Sequence, residues 1–213
     1  LYGAYKRLQN RTDGALTGKG VGYGGSFVRT EATGYGIVYF MKEMLAHAGK
    51  DIAGMRAVVS GSGNVAAHVA LKLIDEGARP LTLSDREGYV YAPEGLTREI
   101  IAEIQRLKDR HGALSELVLP AGCTYHTGTP WQAVAAEIYS PCATQNELKI
   151  ADADALIANG AVLVVEGANM PTTLEAAHRI QSAGILFAPG KAANAGGVAV
   201  SGLEMAQNAG HVQ

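Results

Sequence analysis

The segment MRAVVSGSGNVAAHVALKLIDEG, residues 55–77, decides the fold. Residues 55–60 form a short apolar run typical of a buried strand, and residues 65–76 carry apolar side chains at helical spacing. A second apolar run follows at residues 80–85. The pattern therefore predicts a strand, a helix and a second strand, which together form one βαβ unit of a parallel sheet.

The turn between this strand and this helix follows the pattern G-x-G-x-x-A over residues 61–66. Gly61 permits a tight turn, Gly63 lets the backbone approach a pyrophosphate, and Ala66 allows close packing of the helix on the strand. Free N–H groups and the positive dipole end of the helix would face the phosphates. We therefore predict a dinucleotide site with Gly61, Ser62 and Gly63, although glycines that serve only a tight turn give the same pattern.

An acidic residue ends the second predicted strand. Asp85 follows Gly61 by 24 positions, close to where a ribose-binding carboxylate is expected. Asp85 favours NAD, whose 2′-hydroxyl is free, whereas the neighbouring Ser84 and Arg86 suit the 2′-phosphate of NADP. Arg86 is equally typical of a solvated loop charge, so these residues leave the choice of dinucleotide open.

The remainder of the chain continues the alternation of strands and helices. Residues 1–8 predict a short helix, residues 10–25 a linker and residues 88–91 a hairpin segment. Further strands are predicted at 137–140, 161–166 and 184–188, and further helices at 30–48, 97–111, 148–159, 172–183 and 197–209. This order predicts an α/β fold, a Rossmann-like, doubly wound, mostly parallel sheet in three layers, with ligands at the carboxyl ends of its strands.

Three loops at predicted strand ends carry amide and hydroxyl side chains. They span residues 141–146, 166–173 and 188–197. Amides at such positions can bind a carboxamide or a ribose, but Asn, Thr and Pro are also the residues of ordinary turns and helix caps. The candidate cofactor-binding residues in these loops are Ala143, Thr144, Gln145, Asn169 and Asn194.

Composition excludes several classes of function. The 213 residues carry a net charge of −2 with no long basic run, so we expect neither nucleic acid nor an anionic membrane surface as a partner. No apolar run reaches the roughly 18 residues that a membrane-spanning helix needs. Cys123 and Cys142 lack metal-ligand spacing. We therefore expect no metal site and a reducing, cytoplasmic location.

Several segments together resemble the glutamate dehydrogenase family, in the family's order. They lie at residues 23–26, 29–36, 61–66, 141–146, 168–173 and 194–207, and the resemblance runs from Thr17 to Asn208. The related leucine, phenylalanine and valine dehydrogenases share the architecture but are less similar at residues 141–146 and 201–205.

The resemblance implies roles for individual coenzyme-binding residues. Thr33 resembles the family's contact to the nicotinamide carboxamide, Asn64 and Val65 resemble its contacts to the pyrophosphate, and Asn169 falls near the nicotinamide ribose. Residues 60–66 and 189–207 look most like the bacterial biosynthetic members. This likeness implies NADP as the cofactor, with NAD as the alternative.

The resemblance also implies a reaction and a substrate pocket. The family interconverts L-glutamate with 2-oxoglutarate and ammonia by reversible oxidative deamination. Val198 and Ser201 resemble residues that line the pocket for the substrate side chain, where Ser201 would donate to the distal carboxylate, and Arg29 would support the same pocket. A buried carboxylate needs such paired donors.

The family's catalytic lysine and aspartate lie in a substrate domain that precedes the coenzyme domain, and neither motif occurs in this sequence. We therefore expect no catalytic residue in this chain. Residues 1–29 would be a linker or the end of the substrate domain, and residues 30–213 a dinucleotide-binding domain truncated at its C-terminus. The resemblance implies a homohexamer as the assembly. Two alternatives stay open, a nucleotide-binding module without catalysis and a dehydrogenase for an apolar amino acid.

Overall fold

The computed structural model describes residues 1–10 and 16–210. The strands are β1 (Arg56–Val59), β2 (Arg79–Pro80), β3 (Thr82–Ser84), β4 (Gly88–Tyr91), β5 (Thr124–Thr127), β6 (Ile138–Ser140), β7 (Leu163–Val165) and β8 (Leu186–Ala188). The α-helices are α1 (Tyr2–Gln9), α2 (Ala32–His47), α3 (Asn64–Asp75), α4 (Arg98–Asp109), α5 (Ile150–Ala158), α6 (Leu174–Ser182), α7 (Gly190–Ala193) and α8 (Ala195–Ala209). Two 3₁₀ turns span Val21–Tyr23 and Leu114–Glu116. Within these described residues no helix is long and apolar enough to cross a membrane.

Five strands form one parallel sheet in the order β2-β1-β6-β7-β8. The chain leaves β1 first toward β2 on one side and later returns to β6 on the other side. Such a reversal of strand order opens a crevice at the carboxyl end of the strand from which it starts. The predicted parallel sheet is confirmed, and the crevice lies at the glycine turn after β1.

Helices cover both faces of this sheet. Ala57 and Val59 of β1 belong to the larger core, together with α2, α3 and α4. Val58 between them belongs to a second core with α5 and α6. Because successive side chains of a strand alternate between its faces, one three-residue run contributes to both cores. The predicted three-layer, doubly wound α/β fold is confirmed.

The prediction of a single strand at residues 80–85 is wrong, because the structure divides this segment between two sheets. Its start belongs to β2, whereas β3 joins a three-stranded antiparallel sheet in the order β3-β4-β5. Pro80 has no N–H for a continued ladder. Two residues later the Thr82 hydroxyl accepts from the N–H of Val59 at 3.1 Å and donates to its carbonyl at 3.0 Å. A side chain thus takes the place of the strand ladder, and the backbone turns away.

The segment predicted as a linker is held against α8 where the structure describes it. Residues 11–15 of that prediction lie outside the described residues. The Glu204 carboxylate accepts from the N–H of Gly18 at 2.9 Å and from Nζ of Lys19 at 2.6 Å. Both charged side chains are at least 96% buried. A desolvated, hydrogen-bonded ion pair of this kind fixes residues 18–19 on the helix.

Helices α2 and α8 cross closely because glycines meet at the crossing. A Cβ added to Gly36 would lie 3.2 Å from the Cα of Gly196, and a Cβ added to Gly196 would overlap the carbonyl oxygen of Ala32. Backbone atoms cannot move aside as a flexible side chain does, so only glycine fits at Gly196. The crossing thereby fixes the N-terminal half of α8 beside the start of α2.

The close crossing gives a matched test on one helix. We expect Gly196→Ala to lower the free energy of unfolding by about 1–3 kcal/mol, because the added methyl overpacks a backbone contact. A Cβ on Gly202 meets no atom within 4 Å, so Gly202→Ala should raise stability by up to ~1 kcal/mol through helix propensity. Urea unfolding of both variants measures the difference. Equal effects of the two substitutions would contradict the close crossing.

Candidate functional site

A cavity of about 680 Å³ lies at the carboxyl end of β1, where β3 and β6 also end. Its walls are residues 60–63, 84–87, 111–113, 128–131 and 142–144, together with Lys108 and Glu147. The structure therefore brings the glycine turn, the end of β3 and the loop after β6 into one site. This is the crevice that the strand order predicts.

The glycine turn leaves the N-terminus of α3 open. Gly61 has a φ of +83°, and a Cβ there would lie 3.0 Å from the Cys142 carbonyl oxygen, so both conformation and space favour glycine. Gly63 caps α3 without a side-chain hydrogen bond, and a Cβ there would meet no atom within 4 Å. The N–H groups of Asn64 and Val65 precede the first bond within the helix, from Ala67 to Gly63. Open space before free N–H groups fits a pyrophosphate.

Ser84 fastens the end of β3 to the glycine turn. The N–H of Gly61 donates to the Ser84 hydroxyl at 2.8 Å, and the N–H of Ser84 donates to the Gly61 carbonyl at 3.0 Å. The Ser84 side chain therefore helps to hold the turn, while its hydroxyl proton stays free to donate to a ligand in the cavity.

The carboxylate of Asp85 is fully used by hydrogen bonds within the chain. Oδ1 accepts from the N–H groups of Glu87 and Gly88 at 3.1 and 3.2 Å. Oδ2 accepts from the N–H of Leu114 at 2.8 Å and from Nζ of Lys108 at 3.0 Å. A carboxylate has about four lone-pair positions, so a ribose hydroxyl would have to replace one of these donors.

These bonds also set the charge of Asp85. Burial by itself would raise the pKa of the Asp85 carboxyl, but the hydrogen bonds from Leu114, Lys108, Glu87 and Gly88 outweigh burial, and the pKa lies below its ordinary value. Asp85 therefore remains ionised and joins the β3–β4 turn to the segment that follows α4.

Basic side chains surround the same part of the cavity. Arg86 is exposed and forms no hydrogen bond or ion pair with any residue that the structure describes, whereas Lys108 also donates to the Gly112 carbonyl at 2.9 Å. His111 lies on the cavity wall with a left-handed backbone, φ +61°. Sequence reasoning missed Lys108 and His111 because the charges of α4 look like a solvated face. A basic residue in the last helical turn followed by Gly112 is the signal that was available.

The loop after β6 lies only partly in the cavity. Ala143 and Thr144 line it, whereas Gln145 is exposed and lies outside its walls. The amides of Ala143 and Thr144 both donate to Oε1 of Glu147, at 2.9 and 3.3 Å. Sequence reasoning missed Glu147, which reaches the cavity only because the loop folds back on itself.

Asn169 and Asn194 lie side by side outside this cavity. Nδ2 of Asn194 donates to Oδ1 of Asn169 at 3.0 Å and to the Gly167 carbonyl at 3.2 Å. Beneath them the buried Glu166 accepts from the N–H groups of Thr172 and Gly190, at 3.2 and 2.7 Å. The loops after β7 and β8 are thus joined, and the amide donors of the exposed Asn169 have no partner among the described residues.

A second group of predicted residues gathers where α2 meets α8. A Cβ on Gly197 would meet the Thr33 hydroxyl and Nη1 of Arg29, so both side chains lie against the start of α8. Nε of Arg29 is buried without a hydrogen-bond partner among the described residues. Val198 is 74% exposed, and Ser201 one turn later is partly buried. The unpaired guanidinium donor of Arg29 and the Thr33 hydroxyl, both against Gly197, are chemically suited to a carboxylate.

The sequence model of the glutamate/leucine/phenylalanine/valine dehydrogenases matches residues 24–213. The chain belongs to this family. The NADP-specific glutamate dehydrogenase of Escherichia coli K12 is 52% identical over 211 residues, and that of Haemophilus influenzae is 50% identical over 210. The NAD(P)-specific glutamate dehydrogenase of Xylanibacter ruminicola is also 50% identical. These alignments cover 98% of this chain but 46–47% of each relative, so the chain spans about half the length of the curated relatives it matches.

Solved structures of the family share the fold. The glutamate dehydrogenase of Plasmodium falciparum superimposes with a TM-score of 0.95 at 46% identity, over all of this chain and 46% of its own. A hetero-hexameric glutamate dehydrogenase of Thermus thermophilus superimposes with a TM-score of 0.83 at 30% identity, over 98% of this chain and 47% of its own. The sequence-based assignment to the glutamate dehydrogenase family is therefore confirmed. No group of three or more metal-ligating side chains occurs within residues 1–10 and 16–210.

The hydrogen bonds of Asp85 predict a pH-dependent contribution to the stability of this chain. Because the folded-state pKa is lowered, the contribution is present above the unfolded pKa and is lost as pH falls through the folded pKa. Asp85→Asn should cost about 1–3 kcal/mol of unfolding free energy at neutral pH, since an amide accepts poorly from four donors.

Urea unfolding at neutral pH and at about pH 3 measures this loss, which should shrink in acid. Asp109→Asn is the matched control, because Asp109 is an exposed acid at the end of α4, and its loss should stay within ~0.5 kcal/mol. A loss at Asp85 that is the same at both pH values would argue against the ionised carboxylate.

Proposed function

We propose that this chain forms the coenzyme-binding part of a glutamate dehydrogenase, which reversibly converts L-glutamate into 2-oxoglutarate and ammonia. One observation carries the proposal, namely the uncapped N-terminus of α3 at an open glycine turn in a chain of this dehydrogenase family. A bound nicotinamide dinucleotide would supply hydride transfer. The residues of this chain would bind it, orient it and form one wall that excludes water.

The glycine turn would hold the pyrophosphate. Gly61 and Gly63 leave room for it, and the N–H groups of Ser62, Asn64 and Val65 would donate to it. The side chain of Asn64 is committed elsewhere, since its Nδ2 donates to the Thr30 carbonyl at 2.7 Å. We therefore assign the pyrophosphate contact of Asn64 to its backbone.

Loops after the other strands would orient the rest of the coenzyme. Ala143 and Thr144 line the cavity. Gln145 lies outside the cavity wall and remains a candidate for coenzyme binding. Asn169, with free amide donors, and its partner Asn194 would serve the nicotinamide ribose. Thr33, at the start of α2, would serve the carboxamide.

We propose NADP as the coenzyme. The Asp85 carboxylate, which would favour NAD, is already occupied by four donors, while the Arg86 guanidinium at the cavity wall has no partner among the described residues. A guanidinium binds phosphate by charge-assisted hydrogen bonds. Ser84 adds a hydroxyl on the same wall. The names of the relatives from E. coli and H. influenzae point the same way, whereas the X. ruminicola relative is named for both coenzymes.

The second residue group would bind the substrate. Arg29 offers a buried unpaired donor, Ser201 a hydroxyl and Val198 an apolar wall, which together fit a side chain that ends in a carboxylate. The catalytic lysine and aspartate would come from a substrate domain before residue 30, of which residues 1–29 would be the end or the linker. We propose a homohexamer as the assembly and the cytoplasm as its location.

Coenzyme choice is tested by binding. Trp131, the single tryptophan of the chain, lies on the cavity wall, so its fluorescence is the readout that we choose for ligand binding. We expect NADPH to bind about tenfold more tightly than NADH. Arg86→Gln should weaken NADPH binding about tenfold, because a hydrogen bond to a charged group contributes about 1.5–3 kcal/mol. The affinity for NADH should not change.

Arg110→Gln is the matched control, since it removes the same charge from an exposed residue at the end of α4, outside the cavity wall. Tighter NADH, or equal binding of the two coenzymes, would reject NADP. Failure of the folded chain to bind either coenzyme would reject the dinucleotide site.

Substrate choice is tested in the full-length enzyme that joins this chain to its substrate domain. We expect Ser201→Ala to raise KM for L-glutamate by about tenfold, the effect of one lost hydrogen bond to a charged group, and to leave KM for norvaline nearly unchanged. An unaltered KM for glutamate would favour the alternative of an apolar amino acid substrate. If the reading frame upstream of residue 1 lacks a glycine-rich lysine segment, the alternative of a nucleotide-binding module without catalysis is favoured.

A further inference from the structure

Glu147 is an acid inside a site that the proposed function assigns to an anion. It lies on the wall of the cavity that also contains Ser60 and the glycine turn. Its Oε1 accepts from the N–H groups of Ala143 and Thr144, at 2.9 and 3.3 Å. The carboxyl thus closes the loop after β6 from the cavity side.

A serine connects Glu147 to the glycine turn. Ser60 lies on the same cavity wall as Glu147 and favours the ionised form of its carboxyl, and the Ser60 hydroxyl oxygen accepts from the N–H of Cys142 at 2.9 Å. Ser60 directly precedes Gly61, whose turn would hold the pyrophosphate. Glu147 therefore lies on the same cavity wall as the backbone that would bind the pyrophosphate.

Unlike Asp85, Glu147 has no cationic partner in the part of the chain that the structure describes. No Lys, Arg or His within residues 1–10 and 16–210 forms an ion pair with it, whereas Asp85 is paired with Lys108 at 3.0 Å. Burial raises the pKa of Glu147, and the hydrogen bonds from Ser60, Ala143 and Thr144 only partly oppose this rise. The pKa of this carboxyl therefore lies above that of an ordinary glutamate.

We propose that Glu147 takes up a proton from solvent when an anionic dinucleotide binds, so that coenzyme binding tightens as pH falls. The inference rests on the proposed function, because it requires a pyrophosphate at the glycine turn. Two like charges that share one cavity repel each other, so that both stay ionised only at a cost, and the carboxyl is the group that can accept a proton. Glu147 would act through the loop and the turn that it joins, as a positioning residue.

The direction with pH follows from linkage. The phosphates would raise the pKa of Glu147 above its value in the free chain, so protons are taken up between these two values. Affinity is then greatest below the free-chain pKa and falls as pH rises through the ligand-bound pKa. A rise of about one pKa unit corresponds to about a tenfold change in affinity.

Other titratable groups share this environment. The Cys142 thiol lies beside Glu147, but burial raises its pKa to about 12, so it stays protonated throughout the range. The remaining titratable or charged groups on the cavity wall are Asp85, Arg86, Glu87, Lys108 and His111. Because the 2′-phosphate of NADP titrates near pH 6, the test compares variants that differ only at one carboxyl.

Calorimetric titration of the chain with oxidised NADP, in buffers of different ionisation enthalpy between about pH 5 and pH 8, measures proton uptake directly. The same titration with oxidised NAD removes the 2′-phosphate. At the pH midway between the free and ligand-bound pKa of Glu147, the wild-type chain should take up about half a proton more than Glu147→Gln on binding. From low to high pH, its affinity for the coenzyme should fall about tenfold more than that of the variant. Glu147→Gln keeps an acceptor for both loop amides, so a merely structural role predicts no difference.

Glu94→Gln is the matched control, since Glu94 is an exposed acid in the turn after β4, outside the cavity wall; it should behave as wild type. Binding without excess proton uptake in the wild-type chain would overturn the role of Glu147 and leave the proposed function intact. Absence of binding by all folded variants would overturn both.

Discussion

The reciprocal hydrogen bonds between Gly61 and Ser84 are the constraint on which the site depends. They join the ends of β1 and β3 just where the backbone of Gly61 adopts φ +83°. With the turn held in this way, α3 begins with its free N–H groups toward the crevice at the reversal of strand order. A turn that relaxed from the left-handed region would point these donors elsewhere, and the cavity would lose the end that we propose for the pyrophosphate.

Much of the fold could be predicted from the sequence because its determinants are local. The apolar run of β1, the helical spacing of α3 and the glycine turn all lie within residues 55–77, so the βαβ unit and the parallel sheet follow from the local sequence. The division of residues 80–85 could not, since it depends on the Thr82 hydroxyl meeting Val59. That contact joins residues 23 positions apart, which no local pattern reports.

For the candidate site, the sequence predicted which segments come together but not how each side chain is hydrogen-bonded. Residues of the glycine turn and the loop after β6 fall together in the cavity, as their places at strand ends predict. The hydrogen bonding of the Asp85 carboxylate could not be predicted from the sequence, because its donors Lys108 and Leu114 follow it by 23 and 29 residues. Spacing could mark Asp85 as an acid at a ribose-binding position, but only the fold shows that its lone pairs are used.

One short segment joins the two halves of the site. The Thr30 carbonyl accepts from the side chain of Asn64 at the glycine turn, while Arg29 and Thr33 lie against the start of α8. The Gly36–Gly196 crossing holds α8 in place beside this segment. Since packed backbone contacts do not deform gradually, a displacement of the glycine turn would reach the start of α8 through only a few rigid residues. The sites that we propose for coenzyme and substrate would therefore be mechanically linked through residues 29–33.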